Sequence, residues 1–369
     1  MRTILLVAGD PSGDLHGANL IRELKAREPS ARIAAVGGPL MKAEAHEFLE
    51  DLATRGMTGF LEPLAALPFF TRLGFRLGRF MKERKVSALV CIDYYGFNRR
   101  VLSFAAAAKV PAYYYVSPQV WASRPGRIQV LKKLVRKMLV IFPFEEKLYR
   151  EAGVDCLYVG HPLLDLMPPA PPRDAPSDKP LIGLLPGSRA SEVRRHLPVF
   201  LKTFDLLKKR FPGARARLFA AASLPDSAYN GPGGVPLPVV RERDYALRSS
   251  LDFAISSSGT ATLENALLGV PMAVVYKLSW PTYAIARTLI KVPYIAMANL
   301  LAGKRLAPEL IQRDAKPEKI AAAVAPILGD PAAWSAVRRE LLEIRSRLGS
   351  PGGAGRAAAE ILQDSGILL

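Results

Sequence analysis

The 369-residue chain is 50% hydrophobic and 23% charged, which excludes a disordered or fibrous protein and allows two ordinary domains with packed cores. Its two cysteines and four scattered histidines, with no carboxylate at ligand spacing around them, exclude a disulfide framework and a structural zinc site. A net charge of +18 calls for an anionic partner: a nucleic acid, a membrane surface or a phosphorylated ligand.

The N-terminal run MRTILLVAGD is too short for the apolar region of a signal peptide and is predicted as a first strand. Nowhere does the chain approach the ~18 uninterrupted apolar residues of a spanning helix. The expectation is a soluble, cytosolic protein with Cys91 and Cys156 as buried, reduced thiols. The first strand ends in VAGDPSGDLHGA, where Gly9, Asp10, Ser12 and Gly13 form a strand-to-helix turn. That turn is neither GxGxxG nor a Walker motif, so ATP hydrolysis is not indicated.

Residues 72–85 carry six basic side chains and one acid. On a helical projection Phe69, Leu73, Leu77 and Phe80 form one stripe and Arg72, Arg76 and Arg79 a second, with Phe70, Phe75 and Met81 as further apolar groups. Apolar beside basic is the pattern of a helix lying on an anionic membrane. The surplus of large apolar groups favours that reading over a core face with solvated arginines.

The next strand, ALVCID, ends on Asp93, with Tyr94, Tyr95 and Gly96 after it. An acid at a strand tip beside aromatics is a candidate general base, because partial burial raises its pKa toward working pH. The alternative is a helix N-cap for the segment that follows. AYYYVSPQVWASRPGR closes a further strand with Ser117 and Gln119 among polar and basic groups, and residues 124–137 hold six basic residues and no acid. KMLVIFP is the next strand. In VGHPLLD, His161 reads as structural.

LMPPAPPRDAPSDKP, residues 166–180, has six prolines and no apolar periodicity, the composition of a linker. The alternation of strand and helix then restarts with LIGLLPGS and a helix over Ala190–Arg210. In LLPGSRASEV, Gly187 permits close backbone approach, Ser188 donates, and the Arg189 guanidinium suits a diphosphate. A plain turn with a solvated arginine is the alternative. RLFAAAS, VPLPVV and LDFAISSS are further strands, and the last runs into ISSSGTATLENALLGVP. A helix cap needs one hydroxyl, yet Ser256, Ser257, Ser258 and Thr260 stand around Gly259. With two such turns on one rim, the reading is a diphosphate seated on a helix N-terminus. Glu264, about one turn into that helix, would accept from ribose hydroxyls.

Strands apolar on both faces and separated by helices predict parallel sheets. The fold class is α/β: two doubly wound halves facing a cleft, with a helical C-terminal tail. The predicted boundaries are 1–167, a linker over 168–180, a second half over 181–345 and a tail over 346–369. Ligands of such sheets bind beyond the carboxyl ends of the strands.

AGDPSGDLHGA, VSPQVWASRPGR, FPFEEKLYREAG, VGHPLLD, LLPGSRASEV, SSGTATLENAL, VPYIAMANLLAGK and PELIQ run in order from residue 8 to residue 312. Jointly they resemble the lipid-A-disaccharide synthases, GT-B glycosyltransferases of Gram-negative outer-membrane biosynthesis. The resemblance implies that UDP-2,3-diacylglucosamine donates its sugar to 2,3-diacylglucosamine 1-phosphate, lipid X. The products would be a β-1,6 disaccharide, formed with inversion, and UDP. It further implies no metal or other cofactor, no nucleic-acid partner, and peripheral association with the anionic inner-membrane surface; a homodimer stays open. Asp93 would be the general base, with Asp10 its rival. Ser12, Gly13, Ser117 and Gln119 would line the acceptor side. Asn299, Glu309 and Gln312 would reach donor groups alongside Gly187, Ser188, Arg189, Ser257, Ser258, Gly259, Thr260 and Glu264.

The chain departs from the family pattern in places. AGEASGD reads AGDPSGD, WAW reads Trp121-Ala122-Ser123, and in IDYYGFN the second acid of IDxPDFN is Gly96. Two other readings compete. Another UDP-sugar GT-B enzyme, a lipid-linked transferase or a UDP-N-acetylglucosamine 2-epimerase, shares the rim, but an epimerase has no need of the basic amphipathic stretch. A non-enzymatic basic membrane- or nucleic-acid-binding module leaves the rim unexplained and lacks a nucleic-acid-binding signature.

Overall fold

The computed structural model describes residues 2–54, 67–221, 224–230, 237–241, 244–290 and 292–367. The chain divides into one unit of Met1–Asp165 with Ser350–Leu369 and a second of Leu166–Gly349.

The first unit runs β1 (Thr3–Ala8), α1 (Pro11–Arg27), β2 (Arg32–Gly37), α2 (Pro39–Glu44), β3 (Glu47–Asp51), α3 (Leu67–Glu83), β4 (Val86–Ile92), α4 (Tyr95–Ala107), β5 (Ala112–Tyr115), α5 (Arg127–Leu134), β6 (Lys137–Val140), α6 (Pro143–Glu151), β7 (Cys156–Tyr158) and a short α7 (Leu163–Leu166). Among the described residues the strands form one sheet, ordered β3-β2-β1-β4-β5-β6-β7, and the pairs are parallel. Every residue of β1 is buried, as expected of a central strand covered by helices on both faces. The order reverses between β1 and β4, where Ala8 lies opposite Ile92. Strand order of this kind opens a crevice at the reversal, so the two chain segments that leave it, beginning at Gly9 and Asp93, occupy the ligand-binding position of the sheet.

The second unit continues with β8 (Leu181–Leu185), α8 (Ala190–Arg210), β9 (Arg215–Phe219), β10 (Val239–Val240), α9 (Ala246–Ser249), β11 (Phe253–Ser257), α10 (Thr260–Leu267), β12 (Met272–Tyr276), α11 (Trp280–Leu289), α12 (Met297–Ala302), β13 (Glu309–Ile311), α13 (Pro317–Leu328) and α14 (Pro331–Arg347). Its parallel sheet is ordered β10-β9-β8-β11-β12-β13 among the described residues. The reversal lies between β8 and β11, with Leu185 opposite Ser256. The two hydroxyl- and glycine-rich turns of the sequence therefore leave neighbouring strand tips.

The proline-rich segment is docked on the second unit. Arg345 donates to the carbonyls of Met167 and Pro168, both at 3.1 Å, and buried Arg338 donates to those of Leu268, Gly269 and Pro171. Buried Asp252 accepts from Arg173 and from the N–H groups of Ser177 and Leu181. Of the predicted tail, 346–369, residues 350–369 belong to the first unit and 346–349 to the second. Its helix α15 (Gly353–Asp364) lays a small-residue face, Gly353, Ala354, Gly355, Ala357 and Ala358, into the interior. Asp364 accepts from Tyr113 Oη at 2.7 Å and from Arg136, and Lys137 Nζ donates to Glu360 at 2.6 Å.

Helix α3 corrects the membrane reading of its apolar stripe. Leu73 and Leu77 are buried in the core with Phe70 and Met81, and Phe69 and Phe80 pack against that core. Periodicity reveals that a helix has an apolar face, and here the sheet and α4 cover it. The exposed face carries Arg72, Phe75, Arg76, Arg79 and Lys82, with Phe75 63% exposed. Arg76 is held by Glu50 Oε2 at 2.8 Å and by the Leu49 carbonyl at 2.7 Å. No single described helix is long and apolar enough to cross a membrane.

Candidate functional site

In the first unit the crevice between β1 and β4 is built by two turns. Asp10 caps α1, its Oδ1 accepting the Gly13 N–H at 2.6 Å, with Pro11 at the first helical position. Asp93 does not cap α4. The capping position is Tyr94, whose side chain makes no capping bond. Asp93 and Tyr94 are consecutive left-handed residues, at φ +42° and +41°, a conformation that costs non-glycine residues about 1–3 kcal/mol each. The surroundings hold it in place. The Asp93 N–H donates to the carbonyls of Tyr115 and Val116, both at 3.2 Å. Its own carbonyl accepts from Asn98 Nδ2 at 2.8 Å and from Tyr114 Oη. The Tyr94 ring lies against the backbone of Gly9, where a Cβ would stand 2.1 Å from a ring carbon; glycine is required there.

The outcome is a half-buried carboxyl at the crevice. Burial first and the negative charge of Asp10 second push the Asp93 pKa up to about 7, against a hydrogen bond from the Tyr94 N–H. Such a group is ionised in half the molecules near neutrality and can take a proton from a hydroxyl. Ser12 is exposed in the first turn of α1, and Gly13 is buried beneath it. Gly96 is exposed, with open space where a side chain would go, so the site has no second acid at that position.

Beside this crevice the loop after β5 contains Ser117, buried, and Gln119, exposed. Ser117 Oγ bonds Tyr149 Oη at 2.7 Å. Trp121 Nε1 donates at 3.0 Å to Glu145, a buried acid whose other oxygen accepts the Phe142 N–H at 3.2 Å. Burial pushes the Glu145 pKa up to about 7 against these hydrogen bonds. His16 and His161 are buried, and burial pushes them down to about 4 and about 3, so both are neutral. The Nδ1 of His161 accepts the Leu163 N–H at 3.2 Å, a structural role in agreement with the sequence reading.

In the second unit the turn after β8 places Gly187 at φ +125°, where a Cβ would lie 2.5 Å from Glu192 Oε2. Buried Glu192 accepts from the Ser188 N–H at 3.2 Å, Arg189 Nη1 at 2.7 Å and Tyr276 Oη at 3.3 Å. One face of the Arg189 guanidinium is thereby oriented, and the side chain stays 55% exposed. His196 bridges two strand ends: its Nε2 accepts the Lys277 N–H at 2.9 Å, and its Nδ1 lies 2.8 Å from the Pro186 carbonyl. Those partners require the neutral ring with the proton on Nδ1. Burial lowers its pKa, in keeping with that form.

The turn after β11 has a hydroxyl set with divided duties. Ser256 donates to the Ser257 carbonyl, Ser258 to that of Ile295 and Thr262 to that of Gly259. Gly259 caps α10 without a side-chain bond, so no capping side chain occupies the N–H groups at the start of the helix, beside exposed Thr260. An anion fits such a terminus. Glu264 already pairs with Arg248 and accepts from Tyr245 Oη at 2.8 Å.

Three residues expected at the donor have another job. Asn299 is fully buried and makes all four hydrogen bonds available to an amide. It donates to the Ala307 carbonyl and Glu309 and accepts from the N–H groups of Leu306 and Ala307, each at 2.8 Å. Glu309 accepts from the N–H groups of Ile295 and Ala296. Gln312 clasps both backbone groups of Leu278. They brace the loops beyond β12, and the four hydrogen bonds of the Asn299 amide are made within the second unit. Sequence reasoning passed over Glu145, Glu192 and His196. The spacing of Glu192 and His196, i and i+4 in one helix, was the available signal, and their burial was not.

The model of the family described as lipid-A-disaccharide synthetase matches residues 4–342. The lipid-A-disaccharide synthase of Syntrophus aciditrophicus is 41% identical over 98% of this chain and 97% of its own, and that of Geobacter metallireducens is 38% identical over the same shares. Among solved structures, a UDP-GlcNAc 2-epimerase from Neisseria meningitidis superposes with a TM-score of 0.65 at 11% identity, over 98% of this chain and all of that one. A calicheamicin glycosyltransferase superposes at 0.60 and 18% identity, over 98% of both chains. At such identities these structures speak to the two-domain GT-B fold alone.

Proposed function

The chain belongs to the lipid-A-disaccharide synthase family and is a glycosyltransferase that forms the lipid A disaccharide, and from that premise we propose how its two crevices share the reaction. UDP-2,3-diacylglucosamine is held by the second unit, with its diphosphate on the Gly187–Arg189 turn and the N-terminus of α10. These are neighbouring strand tips that offer backbone N–H groups and a guanidinium. The acceptor, 2,3-diacylglucosamine 1-phosphate, lies against the first unit with its 6-hydroxyl at Asp93. The carboxylate takes the hydroxyl proton as the oxygen attacks the anomeric carbon from the face opposite UDP. UDP departs, and a β-1,6 linkage forms with inversion. Charge developing on the leaving diphosphate is met by the helix terminus and Arg189, without a metal or other cofactor.

The observation that carries this reading is Asp93 at the strand-order reversal, with its carboxyl pushed up to about 7. As a base it must be ionised. The pH profile of kcat/KM should therefore climb with unit slope below about pH 7 and level off above it. A rate independent of pH across that range would count against Asp93.

Because both substrates carry acyl chains, the protein is proposed to work at the cytoplasmic face of the inner membrane. Phe75 and its basic neighbours Arg72, Arg79 and Lys82 would touch the lipid. The triple variant Phe75→Ser, Arg72→Glu, Arg79→Glu should leave anionic vesicles in a sedimentation assay, each arginine having supplied about 1 kcal/mol. Exposed positions such as these should change stability by only about 0.5 kcal/mol each. Cosedimentation equal to the parent's would defeat this placement.

A further inference from the structure

We propose that Glu145 is a positioning residue for acceptor binding, holding the loop after β5 in the shape that receives the acceptor sugar. The inference rests on the reading that the acceptor lies against the first unit. It stands on an arrangement no motif displays. The loop over residues 116–126 leaves the tip of β5, the strand next to β4, and its base is tied to the Asp93 turn, since the Val116 carbonyl accepts the Asp93 N–H at 3.2 Å. Its far end is tied to the same place, with the Arg127 guanidinium 4.4 Å from the ring centre of Tyr95. Two of its residues, Val116 and Arg124, adopt left-handed backbone at φ +60° and +57°, so this shape is imposed from outside the loop.

Glu145 imposes it. Glu145 is 1% exposed, lies in the first turn of α6, the helix that follows the neighbouring strand β6, and binds across to the loop. Trp121 Nε1 donates to Oε1 at 3.0 Å, while Oε2 takes the Phe142 N–H at 3.2 Å. Ser117, at the near end of the loop, reaches Tyr149 of the same helix, 2.7 Å between the hydroxyl oxygens. The Trp121 ring is set edge-on to Phe144, 5.2 Å between centres, and Phe144 stacks on Phe142 at 5.6 Å. One helix therefore fixes both residues, Trp121 through buried Glu145 and Ser117 through Tyr149, with exposed Gln119 between them. A buried carboxyl with this many partners is costly to keep without a purpose. The orientation of Gln119 and of the loop backbone beside Asp93 supplies one.

The test uses the full-length enzyme, with UDP-2,3-diacylglucosamine and 2,3-diacylglucosamine 1-phosphate each varied in turn. Glu145→Gln keeps the shape but turns one oxygen into a donor facing another donor; Trp121→Phe removes the N–H from the other side. Each is expected to raise the acceptor KM about 10-fold, the scale of one charge-assisted hydrogen bond, with a much smaller change in kcat and the same UDP affinity. The double variant should be no worse than the weaker single, because both cut one link. An unchanged acceptor KM in Glu145→Gln that melts as a folded protein overturns the inference. So do single effects that multiply in the double variant, or a loss of UDP affinity that accompanies them. Asp93→Asn, assayed alongside, separates the two levels. If it is inactive while Glu145→Gln is silent, only the role of Glu145 fails. If it is fully active, the placement of the acceptor fails with it.

Discussion

Asp93→Asn is expected to lower kcat by at least ~10²-fold, the low end of what a positioned general base supplies, while UDP affinity stays near that of the parent. Asparagine keeps the shape of the side chain and removes the base. The same substitution has an opposite effect on stability. The folded carboxyl titrates near 7, well above its ordinary 3.8, so the folded state holds a proton that the unfolded chain releases. Stability contributed by this group is complete below about pH 4 and falls as pH rises toward 7. Asparagine carries no such loss. Asp93→Asn should melt above the parent at about pH 8, and the difference should shrink toward pH 4. Inactivity with greater stability is the signature of a strained, half-buried base. If Asp93→Asn remains active and Asp10→Asn is dead, the proton goes to Asp10.

Arg189→Ala should weaken UDP binding by about 1.5–3 kcal/mol, roughly 10- to 150-fold, the range of a hydrogen bond to a charged group. The fold should feel little of it. The Arg189–Glu192 pair has a half-exposed arginine, and such pairs contribute about 1 kcal/mol or less. Glu192 also keeps the Ser188 N–H and Tyr276 Oη. Calorimetric titration with UDP gives the answer directly. Unchanged affinity would remove the Gly187–Arg189 turn from the diphosphate site.

The central strands and the turns that leave them were readable in the sequence because each is an apolar run ending in polar, small or acidic residues. β1, β4, β8 and β11 are such runs, and they are the strands that flank the two reversals. The long helix α8 has the predicted bounds, Ala190–Arg210. β2, β3 and β13 were not foreseen; the last two are short and carry mixed or brief patterns. The α3 stripe was read as lipid-facing because a core and a bilayer select the same side chains; only the neighbours of Leu73 and Leu77 decide between them. Asn299 presents a related ambiguity. A polar residue in an apolar stretch signals a requirement for hydrogen bonds, and the sequence does not say whether a substrate or the backbone meets it. Glu145 stayed hidden because its partner in the loop, Trp121, lies 24 positions away, brought to it only by the sheet.

The most direct test of the central claim is product analysis by mass spectrometry and NMR after incubating the enzyme with both acylated substrates, with and without a chelator. The account predicts one UDP released per disaccharide, a β-1,6 linkage, the same yield with chelator present, and no turnover when the acceptor is omitted. UDP release without disaccharide, an α linkage, or a 2-epimerised UDP-sugar formed in the absence of acceptor would contradict it.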